Sequence, residues 1–380
     1  MPSLTSANAL VPTPPSQEPH GRPFDAVGFL DDQDVDTPRS RLLNPYYAVK
    51  PMLPRATQLA VRRLYARRQA RRRFPAWPIE TLRVDELKKR FRAELEATGA
   101  ERVPFVNFWP ERRRFAFILT HDVEGPRGME NIPRVLELER RHGLRSSWNF
   151  VADDYPIDPG LFAMLREAGC EIGLHGLHHD GLLFADRASF EAQLPRIQQV
   201  MADWGAVGFR SPATHRERAW MPELGCLYDT SFPDTDPFEP QPGGCCSIWP
   251  FFLDDLVELP ITMVQDHTLF EILRETSIQR WVQKSGWLAA NHGLVNVLVH
   301  PDYLLSDRRL DLYEQLLDHL AGRPGGWHAL PREVAGWWRT RARLERGRAI
   351  PFDPAMIAGP TARASTAYAR EEGDEIVFEL

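Results

Sequence analysis

From Arg114 onward the chain alternates short apolar runs with helical segments, and this repetition limits the fold more than any other feature. FAFILTHDV reads as a strand, MENIPRVLELERRHG as a helix stopped by Gly143, RSSWNFVA as a strand, and DPGLFAMLREAGC as a helix opened by Pro159. EIGLHG is a further short strand, and ASFEAQLPRIQQVMADWG is helical despite its internal proline. AVGFRSP, LYDTSF, LVELPIT and VNVLVHPD follow as short apolar strands, with the helical segments SIQRWVQKSGWLAANHG and DRRLDLYEQLLDHLAG among them. Repeated βα units build a parallel sheet with helices outside it. Some seven strand candidates favour a distorted barrel over an open doubly wound sheet. No glycine-rich phosphate fingerprint follows the first strand, which lowers the case for a nucleotide cofactor.

The remaining segments have other textures. Residues 1–40 are rich in Pro, Ser, Asp and Gln and read as a mobile arm. Residues 41–113 read as an accessory helical segment, in which Val61, Leu64 and Tyr65 fit one face of a helix packed beside the core. The barrel is expected over 114–344, and 345–380 is a tail whose EIVFEL end could add an edge strand. Hydrophobic residues make up 43% and charged residues 26%, with a net charge of −6, which fits an ordinary globular protein. No apolar run reaches the length of a membrane span, and the first residues lack a secretory pattern, so a cytoplasmic place is expected. Four cysteines, two of them adjacent at 245 and 246, do not suggest a disulfide framework.

In a parallel α/β barrel the chemistry gathers at the carboxyl ends of the strands. The first strand ends on Thr-His-Asp-Val-Glu. Alternation turns Asp122 and Glu124 to one face and His121 to the other. Two adjacent carboxylates repel each other unless a cation lies between them. His175 and His179, four residues apart, fit one side of a helical turn and suit a single metal ion. Arg210 closes another strand and could hold a carboxylate ionised. His300 closes VNVLVH, and the unperturbed pKa of a histidine suits a general acid.

The ordered set Thr120-His121-Asp122, His175-x-x-x-His179, Arg210-x-Pro212 and Leu298-Val-His300 resembles the polysaccharide deacetylase family, also called the NodB-homology or carbohydrate esterase 4 family, over roughly residues 114–340. The resemblance implies an α/β fold, a distorted (β/α) barrel of the polysaccharide deacetylase type carrying an N-terminal helical extension. It also implies divalent-metal hydrolysis of N-acetyl groups on sugars. Glu124, His175 and His179 would hold the ion, with Zn²⁺ expected. Asp122 would be the base, Arg210 its support, and His300 the acid. Asp266 is a candidate partner for His300, and Asp302 competes for that place. The usual motif carries two adjacent aspartates; Val123 stands at the second, so Asp122 and Glu124 can exchange roles on this reading. Two other readings are an amidohydrolase for a non-sugar C–N bond and a non-catalytic glycan-assembly protein.

The expected partner is a carbohydrate, phosphate-linked if it is a cytoplasmic precursor; no nucleic acid is expected. Eight arginines lie between Arg55 and Arg73, seven of them from Arg62 onward. Their bland reading is a solvated helical face. The sharper one is peripheral contact of Arg62–Arg73 with an anionic surface at the inner membrane.

Overall fold

The computed structural model describes residues 23–31, 54–347 and 363–380. Nine of its strands form one curled sheet. The central strand β2 (Phe115–Val123) is buried along its whole length, as its nearly continuous apolar run requires when helices and core cover both faces. It pairs in parallel with β9 (Leu294–Val299) on one side and β3 (Ser147–Phe150) on the other. The parallel order continues through β4 (Glu171–Leu174), β5 (Gly208–Phe209), β6 (Tyr228–Asp229) and β8 (Leu256–Glu258). The short strand β7 (Phe251–Leu253) runs antiparallel beside β8, and β10 (Gly326–His328) pairs with the first residues of β2.

The ring closes without a regular ladder. Beyond β8 the chain passes between the end of β6 and β9: Ile261 N–H donates to Phe232 O at 2.8 Å and Met263 N–H to Asn296 O at 3.1 Å. Thr262 joins in, its hydroxyl accepting from Asn296 N–H at 2.9 Å and donating to Leu294 O at 2.6 Å. A distorted (β/α) barrel of the polysaccharide deacetylase type results, with helices added by the part of the chain that precedes it.

Those helices are α1 (Ala26–Asp31), α2 (Arg55–Gln69) and α3 (Leu82–Thr98). Of the arm expected over residues 1–40, 1–22 and 32–40 lie outside the described residues. The described part packs, with Ala26 and Leu30 fully buried. The apolar face expected on α2 turns away from the protein. Val61, Leu64 and Tyr65 are 51%, 68% and 50% exposed, and the helix instead buries Ala66 against Phe238 and Ile272. Tertiary anchoring by a small residue has overridden the apolar stripe. The tail does contribute strands, but not to the barrel edge. β11 (Thr366–Glu372) and β12 (Glu375–Glu379) form a hairpin, and β11 pairs antiparallel with β1 (Arg102–Val106) in a separate three-stranded sheet. All four cysteines are free thiols, Cys170, Cys245 and Cys246 buried.

The barrel helices are α4 (Pro126–Arg141), α5 (Pro159–Glu167), α6 (Arg187–Trp204), α7 (Gln279–Ala290), α8 (Asp307–Ala321) and α9 (Pro331–Arg346). Sequence punctuation sets their ends: Asp158 and Asp186 cap α5 and α6, and Gly205 takes a left-handed φ of 60° after α6. None of the described helices is long and apolar enough to cross a membrane.

One polar cluster ties the sheet to its helical layer. The fully buried Glu139 of α4 is bonded by His121 Nε2 at 2.6 Å, Ser146 Oγ at 2.5 Å and Tyr313 OH at 2.6 Å. Removing the carboxylate leaves three buried polar groups without their partner. Glu139→Ala should therefore lower unfolding free energy by about 3 kcal/mol, and Glu139→Gln by less. Urea denaturation measures both. A loss of only about 0.5 kcal/mol, ordinary for a surface change, would show that the cluster does not hold the layers together.

Candidate active site

Alternation along β2 sends His121 outward to Glu139 and Asp122 inward. Inside the barrel the Asp122 carboxylate meets two donors on one oxygen. Its Oδ1 accepts from Asn149 Nδ2 at 2.9 Å and from Arg210 Nη1 at 3.2 Å. Asn149 is the residue that strand register sets opposite Asp122 on β3. Its amide fits only because Gly173 follows on β4: a Cβ there would lie 2.1 Å from Asn149 Oδ1. Arg210 is fully buried and held on every side, by Thr120 Oγ1 at 2.9 Å, Thr230 O at 2.8 Å and Thr230 Oγ1 at 2.9 Å. Burial works to raise the Asp122 pKa, but the charges of Arg210, His175 and His300 outweigh it and hold the carboxyl below the usual range. Oδ2 is left facing His175 Nε2 at 3.8 Å.

His175 and His179 follow β4, and the HxxxH pair does not lie on a helical turn as expected. Gly176 takes a left-handed φ of 74°, and the chain turns away from the strand through an irregular loop. The two rings still come together, with centroids 5.4 Å apart. His175 Nδ1 lies 3.0 Å from Arg210 O, a pure acceptor, so Nδ1 carries the proton and Nε2 presents a lone pair. That Nε2 is buried and finds no hydrogen-bond partner among the described residues. Burial lowers the ring's pKa to about 4 against the raising effect of Asp122.

Glu124 stands opposite. Its Oε1 is 3.0 Å from His179 Nε2, and its Oε2 accepts from Tyr303 OH at 3.1 Å. Burial acts to raise its pKa; the charge and hydrogen bond of His179, then His300 and His175, hold it well below the ordinary value. Asp154 fixes the histidine loop, accepting from His179 N–H at 2.7 Å and bonding His178 Nδ1 at 2.7 Å.

Ligand atoms of Glu124, His175 and His179 all lie within 4.8 Å of one another. A neutral imidazole with its second nitrogen fixed by a carbonyl, a second imidazole and a depressed carboxylate form a donor set that fits a divalent ion.

The wall facing Glu124 comes from β9 and the segment before the π-helical turn His267–Leu273. Asp266 takes two of the groups that His300 offers: its backbone N–H at 2.8 Å and Nδ1 at 2.7 Å. Burial disfavours the charged ring, but Asp266, then Glu124 and Asp122, more than reverse this and raise the pKa to about 10. His300 Nε2 points to Glu124 Oε1 at 3.8 Å. Asp302, the competing partner, does other work. It accepts from Glu124 N–H at 3.0 Å and Gly128 N–H at 3.2 Å, pinning the end of β2 to the start of α4.

The structure thus gathers all seven residues singled out in the sequence. Sequence reasoning missed Asn149, Tyr303, Thr230 and Asp154. Only Asn149 left a trace, as an amide inside an apolar strand.

Residues 111–216 match the family model for polysaccharide deacetylases. That segment spans β2 to Arg210 and includes Asp122, Glu124, His175 and His179. Among solved structures, a Mycobacterium smegmatis protein assigned as a polysaccharide deacetylase superposes with a TM-score of 0.51 and 19% identity, over 62% of this chain and 94% of that one. A Pseudomonas aeruginosa protein with the same assignment gives 0.49 and 16%, over 61% and 93%. An allantoinase gives 0.49 and 14%, over 61% and 92%. The first of these likenesses concerns the fold. No curated protein matches the sequence.

Proposed function

We propose that the chain is a metal-dependent hydrolase that removes N-acetyl groups from an amino sugar in a polysaccharide or glycan precursor. The observation that carries this reading is the placement of a three-residue donor set between two unlike proton carriers, Asp122 on one side and His300 on the other. Glu124, His175 and His179 would hold the ion. Two imidazoles and one carboxylate are a common catalytic zinc set, which makes Zn²⁺ the proposed metal. A bound divalent ion supplies a polarised carbonyl and a more acidic water.

The chain's own residues supply the rest. With Oδ1 committed to Arg210 and Asn149, Asp122 takes the water proton at Oδ2. Water oxygen joins the acetyl carbon as the C–N bond breaks, giving acetate and a free amine. The amine nitrogen receives its proton from His300 Nε2, because Nδ1 is engaged with Asp266. An amide nitrogen is a poor leaving group without that proton, so a base and a separate acid are both needed. Opposed pKa shifts, down at Asp122 and up at His300, suit this division of labour.

The test is acetate release from a panel of acetamido glycans, run beside cyclic amides, with metal content measured on the same samples. Acetate from sugars by the metal-loaded protein is expected. Turnover of cyclic amides alone would move the activity to a different C–N bond, and metal-loaded protein inert on both would end the hydrolase reading.

The acid role makes a separate prediction. His300→Ala should keep the metal and slow N-acetyl hydrolysis by about 10² to 10⁴. Activity on an O-acetyl ester should fall less, since an alkoxide leaves with less help than an amide anion. Equal losses on both acetyl types would take His300 away from leaving-group protonation.

A further inference from the structure

Four of the five exposed large apolar side chains among the described residues fall within 14 positions: Val61 (51%), Leu64 (68%), Tyr65 (50%) and Phe74 (52%). The fifth, Leu182, lies three residues beyond His179. Arg67, Arg68, Arg71, Arg72 and Arg73 are exposed along the same stretch, and none pairs with a carboxylate among the described residues. No acidic residue occurs from Arg55 to Ile79. Two further arginines turn the other way. Arg62 Nη1 donates to Gln69 at 2.6 Å, and Arg63 Nε to Glu271 O at 2.7 Å. Gln69 in turn donates to Glu239 O at 3.3 Å. One face of α2 is thus anchored to the protein, while the other presents apolar tips among arginines that no described carboxylate pairs with.

We propose that this outer face of α2, with the segment that follows it to Phe74, is a docking surface for an anionic lipid bilayer. Charge decides the partner. Guanidinium groups pair bidentately with phosphate, and clustered arginines beside an anionic leaflet add their attractions within about 8 Å at physiological salt. Scattered leucine and aromatic tips, without a broad apolar stripe, fit seating at headgroup level and not deep insertion. The anchored side explains what docking would do. α2 rests on the π-helical turn that leaves Asp266, the residue holding His300. The bilayer would therefore meet the protein next to its catalytic mouth, where a glycan carried on a lipid phosphate would be presented; that last consequence alone rests on the deacetylase reading.

Co-sedimentation of the full chain with vesicles tests the surface. Vesicles of phosphatidylglycerol and phosphatidylcholine are compared with phosphatidylcholine alone, at low and high salt. Wild type should pellet with the anionic vesicles at low salt, leave them at high salt and ignore the neutral ones. Combined Arg67→Gln, Arg68→Gln, Arg71→Gln and Arg72→Gln should weaken binding by about a hundredfold or more. Leu64→Ser with Tyr65→Ser should weaken it several-fold. All six side chains are exposed, so circular dichroism should show both variants folded. Three results would overturn the proposal: no binding by wild type at low salt, undiminished binding by the arginine variant, or binding to a soluble polyanion such as heparin but not to vesicles. Sedimentation needs no turnover and should be unchanged in metal-free protein, so its outcome is independent of the acetate assay.

Discussion

Asp122→Asn should leave the divalent ion bound and lower kcat by about 10² to 10⁴, the range expected for loss of a general base. The amide can still accept from Arg210 and Asn149 through one oxygen, so the side chain should keep its place. What disappears is the second oxygen, the one facing His175 and free to take a proton. Metal analysis and steady-state kinetics on one preparation check both halves. Glu124→Ala is the control: it should lose the metal, because Glu124 is the carboxylate within reach of both histidines. If instead the Asp122 variant lost its metal while the Glu124 variant kept its own and lost turnover, base and ligand would change places.

Combined His175→Ala and His179→Ala should abolish metal binding and, with it, activity. A stability readout separates this from a merely catalytic defect. A ligand that binds only the folded state at about a thousand times its Kd adds about 4 kcal/mol. Saturating zinc should therefore raise the melting temperature of wild type and leave the double variant where it is. Full occupancy of the variant at stoichiometric zinc would remove these histidines from the ligand set. Burial of His175 adds a pH consequence. Its lowered pKa, about 4, leaves the ring unprotonated at neutral pH without assistance from a metal, so Nε2 needs no proton removed before it can bind.

The site was legible in the sequence to the extent that its residues terminate strands. Alternation along Phe115–Val123 was enough to separate His121 from Asp122, and an apolar strand ending in a histidine was enough to mark His300. What was hidden depends on register between distant strands. Asn149 reaches Asp122 only because β2 and β3 align those two positions, and no local pattern encodes that alignment. The choice between Asp266 and Asp302 was hidden for the same reason: both lie near His300, and only three-dimensional packing gives one the imidazole and the other two backbone amides. The loop holding the histidines was misread because a four-residue spacing fits a helical turn, whereas Gly176 permits a left-handed bend that reaches a similar result. Which face of α2 meets the protein was not legible, because apolar periodicity reports amphipathicity without saying which side packs.

Gly173 shows how the arrangement of a site can depend on an atom that is absent. No inventory of acids, bases and ligands would include it, yet the Asp122 carboxylate is steadied by Asn149, and Asn149 occupies the space where a side chain on the neighbouring strand would project. Acquisition of a single methyl group at position 173 would displace the amide, unbalance the carboxylate and leave every ionisable residue of the site in the sequence. Judging whether a distant relative is still an enzyme by ticking off its histidines and carboxylates would pass such a chain as intact. The more discriminating position to inspect is the one where this protein keeps a hydrogen.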